Sequence, residues 1–415
     1  MTAPLLEGGA ALRARLSALT RFLIDRRSLW QVRPFATLPV PWADEIRGAA
    51  AFFDGLTHED VDRLEERVPW PPDEAPPALA ELSRRAHELT RVGEVPRAAA
   101  ALQDRRLQMR VPGRKWAQVE RFAAAVLARR DVAEPARWVD WCAGKGHLGR
   151  TLAAASARPA SLVEIDAGLG ASARAMAERV RAEISFVQAD ALAPAAAEVL
   201  GADAHAVALH ACGGLTNALL EGVARRGAAD LVVAPCCYHK AHPVHLGLEP
   251  MSEAGRAAGL PLSHGMLRLA TADEVVAPGR QRRGRRRDNA WRLGLDLLVR
   301  QATGRDVYTP LGVLPKPLLR LPFEAFCHEV AAIKGLPLPA RWSPAQAQEA
   351  GAQRALEARR WGLARSLFRR PLELWLVLDR ALYLVEAGRA ASVGVFCPRA
   401  VTPRNLLILS SARSA

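Results

Sequence analysis

The sequence predicts an α/β protein built on a doubly wound, mostly parallel sheet. From about residue 109 onward, short apolar runs alternate with helical patterns. This alternation is typical of parallel strands joined by crossover helices. The first apolar run leads into a glycine-rich turn, Gly144-Lys145-Gly146-His147-Leu148-Gly149. A strand, a glycine turn and a helix in that order form the setting in which such turns bind ligands.

The individual strands and helices are predicted from local patterns. Short apolar runs predict strands at 138–141, 161–165, 184–187, 204–209 and 230–234. Helical spacing of apolar residues predicts helices between them, at 148–155, 172–180 and 217–225. A strongly amphipathic helix at 372–386 ends before Gly388, and two further apolar runs, 392–396 and 405–409, predict the last two strands.

Four segments follow from these patterns. Residues 1–100 are helical in pattern and predict an N-terminal helical domain. Residues 101–240 form the predicted ligand-binding core, and 241–370 form a mostly helical insertion. Residues 371–415 supply the last helix and the final two strands of the same sheet.

Composition excludes several protein classes. The chain has 415 residues, 50 % of them hydrophobic and 24 % charged, which excludes a disordered chain, a collagen and a disulfide-stapled miniprotein. No run approaches 18 apolar residues, and the N-terminus lacks the pattern of a signal peptide. Six cysteines without regular spacing predict reduced thiols. We therefore expect a cytoplasmic protein without a membrane segment; its oligomeric state is left open.

The net charge of +14 mildly favours a polyanionic partner. Only five of the 57 basic residues are lysines, and such an excess of arginine is what GC-rich coding produces without selection for a partner. One cluster predicts a surface that contacts RNA phosphates, with Trp291 nearby for base stacking. The alternative is a solvated run of charges. The cluster consists of Arg280, Arg282, Arg283, Arg285, Arg286 and Arg287.

Acidic residues at the strand ends indicate which ligand the glycine turn binds. Glu164 and Asp166 follow Gly144 by 20 and 22 positions, where a carboxylate accepts ribose hydroxyls in dinucleotide-binding folds. Asp140 precedes the turn, and its charge would repel a pyrophosphate but suits an ammonium and a sulfonium. Asp190 follows the third strand and can accept from an adenine amino group. These residues predict a pocket for S-adenosylmethionine (SAM); NAD and a degenerate site without ligand are the alternatives.

Three motifs resemble those of known enzymes. The segment from Val139 to Leu148 resembles motif I of class I SAM-dependent methyltransferases, and is similar to a subgroup with Asp-x-Cys-x-Gly-Lys-Gly-His. Leu209-His210-Ala211-Cys212-Gly213 and Pro235-Cys236-Cys237-Tyr238 resemble that subgroup's other signatures. The subgroup includes methyltransferase-like proteins, the methyltransferase half of glutathione-S-transferase-C-terminal-domain-containing proteins and, more distantly, a tRNA ribose methyltransferase family. Gly113-Arg114-Lys115-Trp116 and Thr402-Pro403-Arg404-Asn405 are also similar to it.

The resemblance implies a Rossmann-like class I methyltransferase fold with SAM as cofactor. Cys142 replaces the first glycine of the general motif, as in the subgroup but not in the wider fold. The predicted cofactor-binding residues are Asp140, Cys142, Ala143, Gly144, Lys145, Gly146, His147, Glu164, Asp166, Asp190, Ala191 and His210.

The ends of the fourth and fifth strands predict the acceptor side of the site. His210, Cys237 and His239 are the predicted catalytic residues, with His210 or His239 as general base. The Asn/Asp-Pro-Pro-Tyr run of many amine methyltransferases is absent, because His210-Ala211-Cys212-Gly213 stands at that position. We expect an RNA acceptor, with a protein acceptor second and a SAM-binding protein without catalysis as the alternative from another class.

The cysteines near these strand ends allow two further interpretations. Cys237 could attack a pyrimidine ring as a thiolate, activated by His239 and Lys240. A metal site could be formed by Cys236, Cys237, His239, His242 and His245, with or without Cys212. Side chains of successive strand residues diverge, so adjacent cysteines chelate poorly, and regular spacing is absent. We therefore predict no metal, and a packing role for Cys212 and Cys236.

Overall fold

A computed structural model describes residues 3–66, 73, 75–98, 102, 104–129, 134–240, 249–272 and 279–412. The chain divides into two compact units. The sheet unit comprises Met1–Asp25, His87–Val276 and Phe368–Ala415, and the helical unit comprises Arg26–Ala86 and Ala277–Leu367.

The strands and helices of the described residues have the following bounds. The strands are β1 (Leu6–Glu7), β2 (Arg137–Trp141), β3 (Ala160–Glu164), β4 (Ile184–Gln188), β5 (Ala204–Cys212), β6 (Asp230–Cys236), β7 (Ala390–Val395) and β8 (Leu406–Ser411). The helices are α1 (Gly8–Asp25), α2 (Arg27–Gln31), α3 (Ala49–Asp54), α4 (His58–Glu66), α5 (Pro77–Thr90), α6 (Gly113–Leu127), α7 (His147–Ser156), α8 (Gly168–Glu178), α9 (Gly214–Arg226), α10 (Glu253–Ala257), α11 (His264–Ala270), α12 (Gly279–Thr303), α13 (Phe323–Lys334), α14 (Pro344–Ser366) and α15 (Arg369–Glu386).

All eight strands form one mixed sheet in the order β1-β7-β8-β6-β5-β2-β3-β4. The pairs from β4 through β3, β2 and β5 to β6 are parallel. β8 lies antiparallel to both β6 and β7, and β1 lies antiparallel to β7. The predicted α/β fold with a mostly parallel sheet is confirmed, and each of the seven predicted strands corresponds to one of β2–β8.

Burial on both faces explains why the parallel strands could be recognised as apolar runs. All seven residues of β6 are buried, and the central strands place Trp138, Leu162, Val207 and Val232 in one apolar cluster. Removing such side chains from water stabilises the fold by about 1.5–3 kcal/mol each. Phe122 of α6 belongs to the same cluster, so this helix is anchored to the sheet.

The first 25 residues belong to the sheet unit. β1 adds an edge strand next to β7, and α1 packs against α15. The indole of Trp375 donates to Thr20 Oγ1 at 2.8 Å, and the rings of Phe22 and Phe368 stack 5.3 Å apart. The predicted N-terminal helical domain is not confirmed, because residues 1–100 are divided between the two units. A two-residue strand is too short to leave a recognisable sequence pattern.

The helical unit has a core of its own. Trp291 and Leu295 of α12 pack with Phe323 and Phe326 of α13. α12 and α14 approach closely at Gly294 and Gly351, because a Cβ on Gly351 would lie 2.6 Å from the Gly294 nitrogen. Small residues at a helix crossing permit such close contact. Among the residues described, no helix has both the length and the apolar character needed to span a membrane.

Candidate active site

The candidate site lies at the carboxyl ends of the parallel strands. β2 is the first strand of the parallel set in sequence, yet β3 pairs on one side of it and β5 on the other. Loops that follow neighbouring strands therefore diverge at this point and leave a crevice, which is where open α/β sheets bind ligands.

The loop from Cys142 to Gly146 joins β2 to α7 with an unusual backbone. Cys142, Gly144 and Gly146 all have positive φ angles, of 59°, 57° and 64°. Gly146 must be small as well, because an added Cβ would lie 2.5 Å from Leu162 Cδ1. An added Cβ on Gly144 would meet no atom within 4 Å, so the loop faces open space there. Glycine permits this conformation at little steric cost.

Glu164, at the end of β3, holds the glycine loop. Its Oε2 accepts from the backbone N–H of Gly144 at 2.9 Å, and its Oε1 accepts from Ile165 and Asp166 at 2.9 and 3.1 Å. Asp166 is exposed and accepts from the N–H of Gly168 at 2.9 Å. The structure thus places Glu164 against the loop and leaves the Asp166 side chain toward solvent.

Asp140 is buried behind the loop, with 3 % of its surface exposed. Its Oδ2 accepts from the N–H of Gly149 in the first turns of α7 at 2.8 Å. Burial raises the pKa of Asp140 to about 7, although the Gly149 N–H and the Lys115 ammonium lower it. A carboxyl with this pKa changes its charge near neutral pH.

Cys142 lies among carboxylates. Burial and the charges of Glu164, Asp140 and Asp190 raise the pKa of its thiol to about 12. Asp190 itself is exposed and accepts from the N–H of Leu192 at 2.9 Å. The thiol of Cys142 is therefore neutral, and the surrounding carboxylates give this side of the site a negative potential.

The remaining predicted cofactor residues occupy different environments. Lys145 is exposed, Ala143 is half-buried, and Ala191 is buried. His147 is buried, and its Nδ1 lies 2.7 Å from a guanidinium nitrogen of Arg150. Burial and that guanidinium lower the pKa of His147 to about 3, so the ring is neutral. His147 supports the start of α7, a role that the motif alone did not indicate.

His210 lies on the acceptor side, at a break in the pairing of β5. Its φ angle is 70°, and the register between β5 and β6 shifts between Leu209 and Cys212. His210 Nε2 lies 2.7 Å from Gln118 Oε1, and the Gln118 amide nitrogen donates to Val401 O at 3.3 Å. This amide orientation assigns the imidazole proton to Nε2 and leaves Nδ1 as the acceptor nitrogen. Burial lowers the pKa of His210 to about 4.

Cys237 follows β6 and lies close to two other thiols. Hydrogen bonds from the thiols of Cys212 and Cys236 lower the pKa of Cys237, and the charge of Lys240 acts in the same direction. Burial raises it, but less strongly. The pKa values of Cys212 and Cys236 are raised, so Cys237 is the thiol of the three whose deprotonation is favoured.

His239 stands in a short 3-10 turn, Tyr238–Lys240, after β6. Its Nδ1 lies 3.2 Å from Thr271 Oγ1, and its ring packs edge-on against His264, with centroids 5.9 Å apart. Burial lowers the pKa of His239. His239 is thus a neutral, half-buried imidazole beside Cys237.

Residues 114–243 match the family model of a methyltransferase domain. This segment is similar to a methyltransferase domain. The match includes β2–β6, the glycine loop and the segments that follow β5 and β6, and it includes no part of the helical unit. Comparisons with curated proteins and with solved structures found no match.

The structure adds residues to the candidate site beyond those predicted from the sequence. α6 contributes Gln118, which contacts His210, and Lys115, whose charge acts on Asp140. The loop before β8 contributes Arg404, whose guanidinium donates to the Thr271 carbonyl. Two sequence signals were present, since Lys115 and Arg404 lie in the runs Gly-Arg-Lys-Trp and Thr-Pro-Arg-Asn.

The predicted arginine cluster lies on α12, in the helical unit, and part of it is engaged in ion pairs. Arg282 pairs with Glu66, and Arg286 pairs with Asp62 at 2.6 Å. Asp62 also accepts from Arg359 of α14 at 2.6 Å. These pairs join α12 and α14 to α4, so Arg282 and Arg286 support the unit's structure.

The other members of the cluster differ in their surroundings. Arg280, Arg283 and Arg285 are exposed. Arg287 is exposed as well, but it donates to Leu319 O at 2.7 Å and lies 5.0 Å over the Trp291 ring. Trp291 has 9 % of its surface exposed and packs in the core, so the predicted stacking of Trp291 on bases is wrong.

Proposed function

We propose that this protein is a SAM-dependent methyltransferase. The observation that carries the proposal is the glycine loop, which is held by Glu164, opens to free space at Gly144 and lies within the matched methyltransferase domain. When bound, SAM supplies a methyl group made electrophilic by its sulfonium. Carboxylates suit the two positive charges of the ligand, and Asp140, Glu164 and Asp190 surround this loop.

Two exposed apolar residues support the same ligand. Ile165 follows β3 with 62 % of its surface exposed, and Leu192 follows β4 with 48 % exposed. A ligand with an apolar face would remove these two side chains from water, which is favourable. An adenine ring has such a face, and its amino group can donate to Asp190, while ribose hydroxyls can donate to Asp166.

His210 is the proposed general base, with Cys237 and His239 as the further acceptor-side residues. Methyl transfer is an in-line displacement, so positioning of the acceptor supplies much of the acceleration. The His210 ring is oriented by Gln118 and is neutral at pH 7, so its Nδ1 can accept a proton from the acceptor. Cys237 and His239 lie close enough to interact electrostatically with one another.

Gly144→Ala tests the cofactor site. The substitution introduces a methyl group into the space that the ligand occupies, so we expect SAM affinity to fall at least about tenfold, the equivalent of 1.4 kcal/mol. The positive φ of Gly144 adds a stability cost of about 1–2 kcal/mol. Calorimetric titration with SAM measures the first effect, and urea unfolding the second.

Gly388→Ala is the matched control for Gly144→Ala. Gly388 has a φ of 82° and no atom within 4 Å of an added Cβ, but it lies between α15 and β7. It shares the backbone strain without the proposed ligand contact. Equal SAM affinity of the two variants would contradict the assignment of the glycine loop.

His210→Ala tests the acceptor side. Loss of a general base lowers methyl transfer by about 10²–10⁴-fold, whereas binding of SAM is expected to stay within about twofold. His87→Ala, which removes an exposed imidazole of α5, is the control. Initial rates with labelled SAM measure the effect once the acceptor is known. Full activity of His210→Ala would exclude the ring as the base.

We propose RNA as the acceptor, on the support of the +14 charge and the exposed Arg280, Arg283 and Arg285. The experiment is transfer of labelled methyl groups from SAM into an extract of cells that lack this protein. If ribonuclease releases the labelled methyl groups, the result supports an RNA acceptor. Label that protease releases contradicts RNA and supports a protein acceptor, and SAM binding without any label favours a SAM-binding protein without catalysis.

The salt dependence of RNA affinity gives a second prediction for the cluster. If three arginines contact phosphates of single-stranded RNA, their replacement by alanine is expected to reduce the slope of log K against log salt by about 2. The variant replaces Arg280, Arg283 and Arg285. The control replaces three exposed arginines elsewhere, Arg63, Arg84 and Arg226, with the same change in net charge. Equal slopes for the two variants would show that the cluster has no specific role.

A further inference from the structure

We propose that Cys212, Cys236 and Cys237 form a binding site for a thiophilic d10 cation, Zn²⁺ or Cu⁺. The three sulfurs all lie within 4.8 Å of one another, and the Cys212 and Cys236 sulfurs are 3.5 Å apart. Sulfurs that bind one zinc ion at about 2.3 Å in tetrahedral geometry are about 3.8 Å apart. The observed cluster therefore already has the dimensions of a three-thiolate site.

The backbone explains how adjacent cysteines converge. β6 ends at Cys236, and Cys237 leaves the strand with a φ of 49°, in the left-handed region. The side chains of Cys236 and Cys237 therefore do not alternate as they would within a strand. This pair of cysteines therefore converges, contrary to the divergence expected of successive strand residues.

The third sulfur comes from the neighbouring strand. The pairing register between β5 and β6 shifts between Leu209 and Cys212, so that Cys212 pairs directly with Cys236. His210 lies within this break and is also left-handed. A left-handed conformation costs a non-glycine residue about 1–2 kcal/mol. Two such residues, at the ends of neighbouring strands, both contribute to the convergence of the three thiols, and strain of this kind concentrates at ligand sites.

Neighbouring groups fix the turn that carries Cys237. The Tyr238 ring is buried, lies 5.1 Å from the Arg380 guanidinium carbon, and donates its hydroxyl to Pro235 O at 3.4 Å. Tyr238 therefore anchors the chain one residue after Cys237.

Three thiolates leave one position of a tetrahedral ion for a ligand from outside the cluster. Among the described residues, the group of potential ligands contains these three cysteines. His239 is engaged with Thr271, and the predicted ligands His242 and His245 lie outside the described residues. Three ligands and an open position are typical of catalytic zinc. The site lies at the ends of β5 and β6, on the acceptor side, but the inference rests on the thiol geometry and not on methyl transfer.

Direct metal loading of the full chain tests the inference. The protein is reduced with a phosphine, freed of metal, incubated with excess Zn²⁺ or Cu⁺ and desalted, and bound metal is counted by mass spectrometry. We expect about one ion per chain. The loaded proteins are then challenged with chelators of increasing affinity, and the ion that withstands the stronger chelator is the preferred metal. Co²⁺ in its place is expected to give thiolate-to-metal charge-transfer absorption. No retained ion, or a Co²⁺ spectrum without that absorption, would overturn the proposal.

Single substitutions identify the ligands. Cys212→Ala, Cys236→Ala and Cys237→Ala are each expected to weaken metal binding by more than about 10–100-fold, the cost of removing even a supporting residue of a metal site. Cys327→Ala and Cys397→Ala remove buried thiols outside the cluster and should retain the ion. If all five variants bind equally, the cluster is not the site.

Two controls separate this inference from other causes. Cys212→Ser and Cys236→Ser preserve side-chain size. If these variants also lose the metal, the loss is caused by removal of the thiolate ligand and not by a change in packing. SAM affinity of the metal-free protein is measured in parallel. Metal binding without SAM binding contradicts the proposed function alone, and SAM binding without metal binding contradicts the metal site alone.

Discussion

Gly146→Ala is expected to lower the free energy of unfolding by about 2–5 kcal/mol. The φ of 64° at Gly146 accounts for about 1–2 kcal/mol of that loss when a Cβ is present. The rest comes from overpacking, because the Cβ would lie 2.5 Å from Leu162 Cδ1, and Leu162 is fully buried in the sheet's core. Urea unfolding of the two proteins at pH 8 measures the difference.

A double substitution tests the physical cause. Leu162→Val removes both δ-methyl groups, so Gly146→Ala combined with Leu162→Val is expected to lose less stability than the sum of the single losses. Such coupling is measured by a double-mutant cycle. Gly144→Ala shares the positive φ without the contact and should lose the strain contribution alone. If Gly146→Ala lowers the free energy of unfolding no more than Gly144→Ala does, the Leu162 side chain moves away from the new Cβ at little energetic cost.

SAM affinity is expected to fall about tenfold for each pH unit below 7. The pKa of Asp140 is about 7 in the folded protein, so below this pH the group is protonated and its negative charge is lost. A cationic ligand then binds only after the proton leaves, which makes SAM about 100-fold weaker at pH 5 than well above pH 7. His210 and His147, with pKa values of about 4 and 3, keep their neutral form over this range.

Asp140 also predicts how stability changes with pH, with the opposite sign to most acidic groups. Its folded pKa of about 7 is above the ordinary value of 3.8, so the folded state holds the proton more tightly than the unfolded chain. The resulting stability is fully present below pH 3.8 and is lost as the pH rises through about 7. Lys115 and Glu164 are the other charged groups that act on this carboxyl.

Asp140→Asn separates the two effects. The amide cannot ionise, so we expect weak SAM binding that no longer varies between pH 5 and 8, and a fold whose stability no longer falls over that range. Asp203→Asn, an exposed position paired with Arg137, is the control and should retain the pH dependence of SAM affinity. If the stability slope disappears while SAM affinity is unchanged, the pKa is right and the cofactor assignment is wrong.

The sequence determined the parallel sheet and the position of its glycine loop. β2–β8 were recognisable as short apolar runs, which buried strands form, and the loop because left-handed turns favour glycine. Both signals are local, since each depends on residues a few positions apart. Asp140 and Glu164 could be placed for the same reason, because their positions relative to the strands were known.

Only the tertiary structure decided which distant side chains meet. Gln118 and His210 are 92 positions apart, and their contact depends on how α6 packs beside β5. Sequence pattern likewise could not show that Arg286 pairs with Asp62, across 224 positions, or that β1 adds to β7. The thiol cluster depends on a register shift and two left-handed residues, His210 and Cys237. A pattern reports burial and local backbone preference, whereas these contacts arise from the packing of elements that are remote in the chain, and packing is specified by shape and charge over the whole unit.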